Sequence, residues 1–341
     1  MKNKLLILGC LFLLLTGCGS SNYILDENKE IVKYEKTGQM LQKNILCLPE
    51  KGTELYELYE KYNNQLDHKI KDLPVCKNYK ITSNDSKGLW EFLFVKPLAY
   101  LILKIGKLCN NMLGISVILL GLLIRIILLP FSIKSAKQSE NIRKAQPEIA
   151  KIERKYRNRT DNESIMMKSQ ETMLVYKKYK VNPMTGCLVS LIQLPVFFAF
   201  LQAIYRVPAI YEQTLFGFQL GTSPIVGIKN GQYSYFILLI LIAVSTYFSF
   251  KQTMKQTSSQ TPDTEQQMKI MLWVMLVIIV YASINLPTAL AFYWIITYAF
   301  ISIQNVLVNF SIGNPFQKKN KKEKIKEKLK KKAGMKYGND N

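Results

Sequence analysis

The sequence contains a single histidine, His68, and no two cysteines separated by two residues. Zinc sites built from several imidazoles and Cys-x-x-Cys centres need more than this, and a Ser-His-Asp triad would have to use His68. The GxxxxGK[ST] loop of nucleotide-binding proteins and the GxGxxG dinucleotide fingerprint are missing as well. We therefore expect that the protein is not an enzyme and has no catalytic residue, metal site or cofactor.

Acidic side chains are scarce, since 24 of them stand against 46 lysines and arginines, and the 341-residue chain has a formal net charge of +22. The chain is nevertheless 48% hydrophobic, and its mean hydropathy is +0.03. A protein this basic and this apolar must keep the two properties apart. Long uncharged blocks alternate here with lysine-rich ones, a pattern typical of multi-span membrane proteins rather than of soluble domains.

The amino terminus has the pattern of a targeting segment. A short basic start precedes an apolar run of eleven residues, which is too short to span a bilayer. The run ends in Leu-Thr-Gly-Cys, which resembles a bacterial lipobox with Cys18 as the lipidated residue. We expect residues 1–17 to be a cleaved signal peptide and residues 18–88 to be a lipid-anchored extracytoplasmic segment. An ordinary signal peptide that ends in cysteine is the alternative.

The extracytoplasmic segment is polar, has nearly balanced acidic and basic side chains, and shows no aromatic-rich core pattern. One helix is predicted over residues 53–71, where leucines and tyrosines recur every three or four residues. Cys47 and Cys76 lie in an oxidising compartment and could form a disulfide, although the sequence does not give their separation in space.

Five apolar segments are predicted to cross the membrane. A further apolar segment, 89–111, places Lys96, Lys104 and Lys107 within about 80° of one another on a helical wheel. One polar stripe on an apolar helix predicts an amphipathic helix lying on the outer leaflet rather than a sixth span. The five predicted spans are residues 112–133, 184–206, 233–250, 270–285 and 288–310.

Charge predicts the orientation of these spans. Residues 134–180 hold 13 lysines and arginines against 6 acids, whereas residues 207–232 hold one of each. By the positive-inside rule the first segment is cytoplasmic and the second external, and the loop 251–269 and the basic tail 311–341 are cytoplasmic. An external amino terminus and an internal carboxyl terminus require an odd number of spans, which fits five.

The cytoplasmic segment 134–180 has apolar residues at helical spacing on both sides of a polar turn at 157–162. This pattern predicts a hairpin of two antiparallel helices, with Asp161 or Asn162 as the N-cap of the second. Pro147 should kink or interrupt the first helix. A solvated, charged connector explains much of the same pattern, but the methionines of the second helix favour adaptable apolar contacts.

Arg125 lies at the fourteenth of the 22 positions of the first span, among leucines and isoleucines. An arginine at the middle of a spanning helix costs about 2.5–3.5 kcal/mol on insertion scales. It cannot lose its proton, and the predicted spans contain no aspartate or glutamate to pair with it. We therefore predict a hydrated cavity inside the membrane that holds a fixed positive charge. An arginine that snorkels to the interface is the alternative.

Polar residues on the other spans are candidates for the lining of the same cavity. Each of them is also explained by an ordinary hydrogen bond between two helices. The candidates are Gln193, Thr246, Thr297, Ser302 and Gln304.

Two stretches, GLLIRIILLPFSIKSAKQSENIRKAQPEIAKIERKY and NPMTGCLVSLIQLPVFFAF, resemble the lipoprotein form of the YidC/OxaA membrane protein insertases. The resemblance covers residues 90–315 and adds Trp294 to the site, ten residues before Gln304. Tyr298 departs from the family pattern, which usually has asparagine or a small polar side chain there. The resemblance implies an all-α membrane protein with five transmembrane helices around a hydrophilic groove, a cytoplasmic helical hairpin and an external interfacial helix.

The same resemblance implies a function and partners. Nascent membrane proteins would be inserted into the bacterial cytoplasmic membrane, by the protein alone or beside the Sec translocon. An ion or solute transporter is the alternative function, but transporters usually show repeated broken helices and an intramembrane carboxylate. The lysine-dense tail 318–332 fits a ribosomal RNA contact or anionic lipid equally well. It has no aromatic residues between its lysines, which argues against base-specific binding, and no DNA partner is expected.

Overall fold

The structure, a computed structural model, describes residues 22–81, 88–181, 185–257 and 262–311. The predicted signal peptide, the lipidation site Cys18 and the basic tail 318–332 lie outside these residues. The helices in the described ranges are α1 (Glu54–Lys61), α2 (Lys96–Leu108), α3 (Leu113–Lys155), α4 (Asn162–Lys178), α5 (Thr185–Tyr205), α6 (Pro224–Lys229), α7 (Tyr235–Thr257), α8 (Pro262–Asn285) and α9 (Thr288–Ser311).

Helices dominate the fold, and the strands are confined to two short hairpins. The strands β1 (Lys33–Tyr34) and β2 (Gln39–Met40) pair antiparallel, as do β3 (Thr214–Leu215) and β4 (Phe218–Gln219). Within the described part, α3, α7 and α9 are long and apolar enough to cross a bilayer, and α5 and α8 contain shorter apolar stretches. The protein is therefore an all-α membrane protein, as the sequence predicts.

Several helices extend beyond their predicted spans. The first span continues without a break into the first hairpin helix, so that α3 is 43 residues long and contains both Pro130 and Pro147. Pro147 therefore does not interrupt the helix, because its neighbours Ala145 and Ile149 are held in a buried contact with α4. The predicted loop 251–269 is also largely helical, since hydropathy detects only the part of a helix that faces lipid.

The hairpin forms as predicted at its turn. Asp161 is the N-cap of α4, and its carboxylate accepts a hydrogen bond from the backbone N–H of Ser164. Two ion pairs join α4 to α3, Lys155 to Glu171 at 2.6 Å and Lys178 to Glu148 at 2.7 Å. Hydrogen bonds from lysine and tyrosine lower the pKa values of both glutamates. Both pairs are therefore intact at neutral pH and are lost only as the pH falls through those lowered values.

The sequence pattern predicted no aromatic-rich core for the extracytoplasmic segment. The structure corrects this, because aromatic residues of the segment are buried in a core. Tyr34, Tyr59 and Tyr79 are buried, and they belong to the same continuous core as the membrane helices. The sequence pattern did not indicate this core, because the three tyrosines lie far apart in the sequence on different short elements. The segment packs onto the outer end of the helix bundle rather than extending into solvent.

The helix predicted over 53–71 is also corrected, because α1 has only eight residues. Thr53 caps its start by accepting a hydrogen bond from the backbone N–H of Tyr56. Beyond its end, Asn63 accepts a hydrogen bond from the backbone N–H of Ile70. Such side chain–backbone bonds compete with helix continuation, and the chain proceeds in short 3₁₀ turns instead.

Cys47 and Cys76 form a disulfide in the structure, and both are buried. Beside it, the backbone N–H of Leu48 donates to the carbonyl of Pro74, and that of Cys76 donates to the carbonyl of Leu48. The bond therefore joins the two arms of the extracytoplasmic segment where they already pair.

We expect the double variant Cys47→Ser/Cys76→Ser to lose about 3–4 kcal/mol of stability in this segment, because the bond closes a loop with a sequence separation of 29. Denaturant titration of the purified protein, with limited proteolysis as readout, measures this loss. Cys109→Ser is the matched control, since Cys109 is a free thiol and should be neutral on substitution. Equal protease resistance of the double variant and the control would contradict the expectation.

A helix forms within the predicted amphipathic segment 89–111, but its three lysines do not share one exposed stripe. Lys104 and Lys107 are exposed, whereas Lys96 is only 3% exposed. A π-helical turn, Glu91–Val95, precedes α2 and packs with it against α5, which covers the first turn of α2. The helix is therefore enclosed by protein at its start and open only towards its end.

The loop 207–232, which is predicted to be external, packs on one end of the bundle. Leu215 at the end of β3 packs so closely on α3 that a Cβ atom on Gly114 would lie 2.8 Å from the Leu215 Cβ. At the start of α9, the backbone N–H of Thr288 donates to the carbonyl of Thr222, and that of Ala289 donates to the carbonyl of Leu220. The loop is therefore held against both α3 and α9.

Candidate intramembrane binding site

Arg125 lies on the side of α3 that faces the bundle. The residue is only 7% exposed, and its Nε atom has no hydrogen-bond partner among the described residues. The helices α7 and α9 both pack against α3. A buried guanidinium is thus enclosed by three helices with part of its hydrogen-bonding capacity unused, which argues against snorkelling.

Among the described residues, two tyrosine side chains interact electrostatically with Arg125, and both belong to α9. They belong to Tyr293 and Tyr298, which lie on successive turns of the helix. The Tyr293 hydroxyl accepts a hydrogen bond of 3.0 Å from Nε2 of Gln193, and its ring stacks on Phe200 of α5. Tyr293 therefore links α5 and α9 at the level of Arg125, and Gln193 belongs to the same site.

Other polar side chains continue the site along α7 and α9. Thr246 and Thr297 are fully buried, and the Thr297 hydroxyl adjoins that of Tyr293. The hydroxyl oxygens of Thr246 and Ser302 are buried without a hydrogen-bond partner in the described part of the chain. Natural structures satisfy most such atoms. Both hydroxyls belong to helices that pack on the helix of Arg125, α7 and α9, and both have hydrogen-bonding capacity left for a polar ligand or for solvent.

The remaining two predicted site residues lie further from the cation. Trp294 is buried, and its indole stacks on Phe197 of α5 with the ring centroids 5.5 Å apart. Gln304 is half-buried, and it lies six residues, or about 9 Å of helix rise, beyond Tyr298. Trp294 therefore acts in packing α9 against α5, and Gln304 lies towards the carboxyl-terminal end of α9.

The arrangement of the site can attract negative charge. None of the described carboxylates forms an ion pair with Arg125. The described residues contain no cluster of three or more histidine, cysteine or acidic side chains that could hold a metal. What remains is a fixed cation in a low-dielectric surrounding, where its interaction with an entering anion is far stronger than in water.

Sequence reasoning missed two polar features of the structure. One is Tyr293, which the spacing could have revealed, since it lies one helical turn before Thr297 on the same face. The other is an ion pair at the outer end of the bundle, between Arg206 after α5 and Glu91 before α2, at 2.8 Å. Glu91 is the only acid between Asp85 and Glu140, a signal that could have marked it as functional or structural.

The fold and the site together define a class: a multi-helix membrane protein with a buried, uncompensated cation among polar side chains. A sequence model of the 60Kd inner membrane protein family matches residues 104–314. The chain belongs to this family, which is the YidC/OxaA family that its motifs resemble.

Several relatives are similar to the chain over most of their length. Membrane protein insertase MisCA of Bacillus subtilis (strain 168) is 36% identical over 236 residues, which cover 69% of this chain and 84% of the relative. Membrane protein insertase YidC 2 of Listeria innocua is 35% identical over 243 residues, 71% of this chain and 78% of the relative. Membrane protein insertase YidC of Oceanobacillus iheyensis is 34% identical over 234 residues, which cover 68% of this chain and 88% of the relative.

Proposed function

We propose that this protein is a membrane protein insertase, which moves nascent membrane proteins into the bacterial cytoplasmic membrane. The relatives that cover most of the chain are named for this activity. The observation that carries the proposal is Arg125, a buried cation with unused hydrogen-bonding capacity and no carboxylate partner in the described part of the chain. Such a charge costs free energy, and it is best explained by a transient anionic occupant.

The mechanism follows from the field of Arg125. An acidic or polar external segment of a substrate is drawn partway into the membrane by the cation, which shortens the apolar distance it must cross. The apolar segment of the substrate then passes along α7 and α9 into lipid. Hydrophobic partition drives this passage, and the membrane potential contributes about 2.3 kcal/mol per charge per 100 mV. Insertion breaks no covalent bond, so no catalytic residue is needed.

The proposed architecture has five spans, formed by α3, α5, α7, α8 and α9, around a hydrophilic groove. The basic hairpin and the tail lie in the cytoplasm, and the extracytoplasmic segment is anchored by a lipid on Cys18. The polar residues of the groove are Arg125, Gln193, Thr246, Thr297, Ser302 and Gln304, with Trp294 packed beside them. The tail 318–332 binds the ribosome or anionic lipid, and the Sec translocon is a further partner.

Reconstitution tests the function directly. Purified protein in vesicles of anionic phospholipid should insert a single-span substrate with an acidic external tail without nucleotide. Protection of that tail from added protease measures the insertion. Vesicles without the protein should protect much less, and an inward-negative potential should increase protection by the intact protein. The same vesicles also test the transporter alternative, because a transporter would move ions or solutes without protecting the substrate. Unchanged protection with and without the protein would overturn the proposal.

The unpartnered hydroxyls predict a conflict between stability and function. In the variant Thr246→Val/Ser302→Ala we expect unchanged or slightly higher stability, by up to about 1 kcal/mol, because two unsatisfied buried groups are removed. We expect insertion of an acidic-tail substrate to fall severalfold, because the groove becomes less hydrated. Thermal unfolding in detergent and the vesicle assay measure the two effects.

The matched control is Thr288→Val, which removes a buried hydroxyl that does have a partner, the carbonyl of Thr222 at 2.6 Å. This control should lose stability, by about 1 kcal/mol, and keep its insertion activity. If the double variant were destabilised as much as the control, its hydroxyls would be structural, and the groove assignment of both would be wrong.

A further inference from the structure

A cavity of about 120 Å³ lies where the extracytoplasmic segment meets the helix bundle. Three parts of the chain form its walls. They are the two arms of the segment beside the Cys47–Cys76 disulfide, the end of α2 with the turn into α3, and the start of the loop 207–232. None of the residues that line it belongs to the site around Arg125. We call this space the segment cavity.

The segment cavity is apolar inside and charged at its mouth. Leu48, Cys76 and Leu113 are buried and form its floor, whereas Lys77 and Lys107 are exposed and form its rim. A ligand for this space therefore needs two parts. One is a compact, weakly polar part that enters the cavity, and the other is an anionic group that stays at the mouth.

The walls of the segment cavity are held in place by hydrogen bonds. The side chain of Gln213 accepts one from the backbone N–H of Leu113 at 2.7 Å and donates one to the carbonyl of Asn111 at 2.8 Å. These bonds join the loop to the turn between α2 and α3. On another wall, the backbone N–H of Cys76 donates to the carbonyl of Leu48. The cavity is therefore formed before any ligand enters.

The two lysines of the rim differ in their partners. Nζ of Lys77 lies 2.6 Å from Oε1 of Glu50, which compensates its charge. Lys107 forms no ion pair with any residue in the part of the chain that the structure describes. The mouth thus carries one uncompensated ammonium group, a compact point charge of the kind that binds phosphate.

The segment cavity lies at the membrane end of the first span. Leu113 is the first residue of α3, where the apolar run of the span begins, and Lys107 lies in the last turn of α2. Leu108 and Met112, on either side of the turn, are large apolar residues with exposed side chains, which a lipid surface would cover. Because the headgroup layer of a bilayer lies directly outside its hydrocarbon core, Lys107 lies at the level of the lipid phosphates.

We propose that the segment cavity binds the glycerophosphate part of an anionic phospholipid, with the phosphate at Lys107 and the glycerol ester on the apolar floor. The inference goes beyond the proposed insertase function and needs only that α3 enters the membrane at its first residue. The size agrees with this ligand. A cavity of roughly 150 Å³ holds one benzene molecule, so that this one has room for a glycerol ester but not for a peptide helix.

This lipid site is a property of the present chain rather than of its family. The family model begins at residue 104, whereas Leu48, Cys76 and Lys77 belong to the extracytoplasmic segment before it. A lipid bound there contacts the segment, α2 and the loop at once. We therefore expect the bound lipid to hold the segment on the membrane surface and to protect residues 22–81 from protease.

Native mass spectrometry of the full-length protein in neutral detergent tests the site. The probes are dioleoyl phosphatidylglycerol, which is anionic, dioleoyl phosphatidylcholine, which has no net charge, and inorganic phosphate. We expect the tightest-bound phosphatidylglycerol to bind at least fivefold better than phosphatidylcholine. Lys107→Gln should weaken it about tenfold, because a hydrogen bond to a charged group contributes about one to two powers of ten. Lys104→Gln, on the same helix and outside the cavity, is the matched control and should change binding by less than twofold.

Two further variants test the floor and the second lysine of the rim. Ala209→Leu fills the cavity from the loop and should weaken phosphatidylglycerol at least tenfold, because the glycerol ester loses its place. Glu50→Gln releases Lys77 from its ion pair and should strengthen binding about threefold. Without lipid, each variant should resist protease as well as the wild type does, which shows that the walls have formed.

Four results would overturn the proposal. One is equal binding of phosphatidylglycerol by Lys107→Gln and Lys104→Gln, and another is equal binding of phosphatidylglycerol and phosphatidylcholine by the wild type. Inorganic phosphate that displaces phosphatidylglycerol at equal concentration would assign the site to free phosphate instead of lipid. Loss of protease resistance in Lys107→Gln without lipid would make Lys107 a structural residue.

Discussion

Replacing Arg125 by alanine should reduce the insertion of a substrate with an acidic external tail by about two orders of magnitude. Two unit charges about 6 Å apart at an effective dielectric constant of 20 interact by about 3 kcal/mol, which is the attraction that the variant loses. Arg125→Lys keeps the charge and should keep most of the activity, whereas Arg125→Glu repels the tail and should be weaker than alanine. Protease protection of the tail in vesicles measures all three.

Two controls show whether the charge itself is responsible. A substrate whose tail acids are replaced by amides should be inserted almost equally by wild type and Arg125→Ala, because there is little charge left to attract. Each variant should accumulate normally, and Arg125→Ala should be at least as stable as wild type, since it removes an unpaired buried cation. If Arg125→Ala inserted the acidic-tail substrate as well as wild type, the attraction mechanism would be wrong for that substrate.

The membrane part of the fold was predictable because lipid imposes one strong rule. Each helix must satisfy its own backbone, so that α3, α5, α7 and α9 follow from runs of apolar residues. Hydropathy loses its value where a helix leaves lipid, and this is why α7 and α8 extend into a segment predicted as a loop. The unbroken passage of α3 through Pro147 depends on the contact with α4, which no local pattern contains.

Sequence reasoning singles out polar side chains inside apolar spans but not the contacts between them. Arg125 and Thr246 are conspicuous because polar side chains are costly inside apolar spans. Their partners are not, since Tyr293 reads as an ordinary interfacial or core aromatic until Gln193 and Phe200 are placed against it. The extracytoplasmic core was not predicted for a similar reason, because Tyr59 and Tyr79 join the same core only through long-range packing.

The ion pair at the outer end of the bundle gives the second large expected effect. Arg206 Nη2 lies 2.8 Å from Glu91 Oε1, with both side chains 9% exposed. Arg206 Nε also donates to the carbonyl of Asn44, while its own carbonyl accepts from the N–H of Leu46. One arginine thus joins the extracytoplasmic segment, the turn before α2 and the end of α5.

Arg206→Ala should destabilise the protein by about 3–5 kcal/mol, because it breaks a buried ion pair with Glu91 by removing one of the two charges. Tyr79 cannot supply the lost positive charge, because a phenol is either neutral or anionic, and burial above all raises the pKa of this phenol to about 12. Glu91→Gln should cost less, because the amide is uncharged and retains a hydrogen-bond acceptor for Arg206. Unfolding of the single variants in denaturant, followed by proteolysis of the extracytoplasmic segment, measures both losses.

The double variant Glu91→Leu/Arg206→Met decides between a structural and a functional role for the pair. Replacing both charges by apolar side chains of similar size removes the attraction together with both desolvation costs, so that stability should return close to wild type. If insertion recovers with stability, the pair only holds the outer end of the bundle together. If stability recovers while insertion stays low, then the external closure over Arg125 depends on these charges, and the groove and the extracytoplasmic segment act as one unit. A double variant as unstable as Arg206→Ala would contradict the assignment of the loss to the broken ion pair.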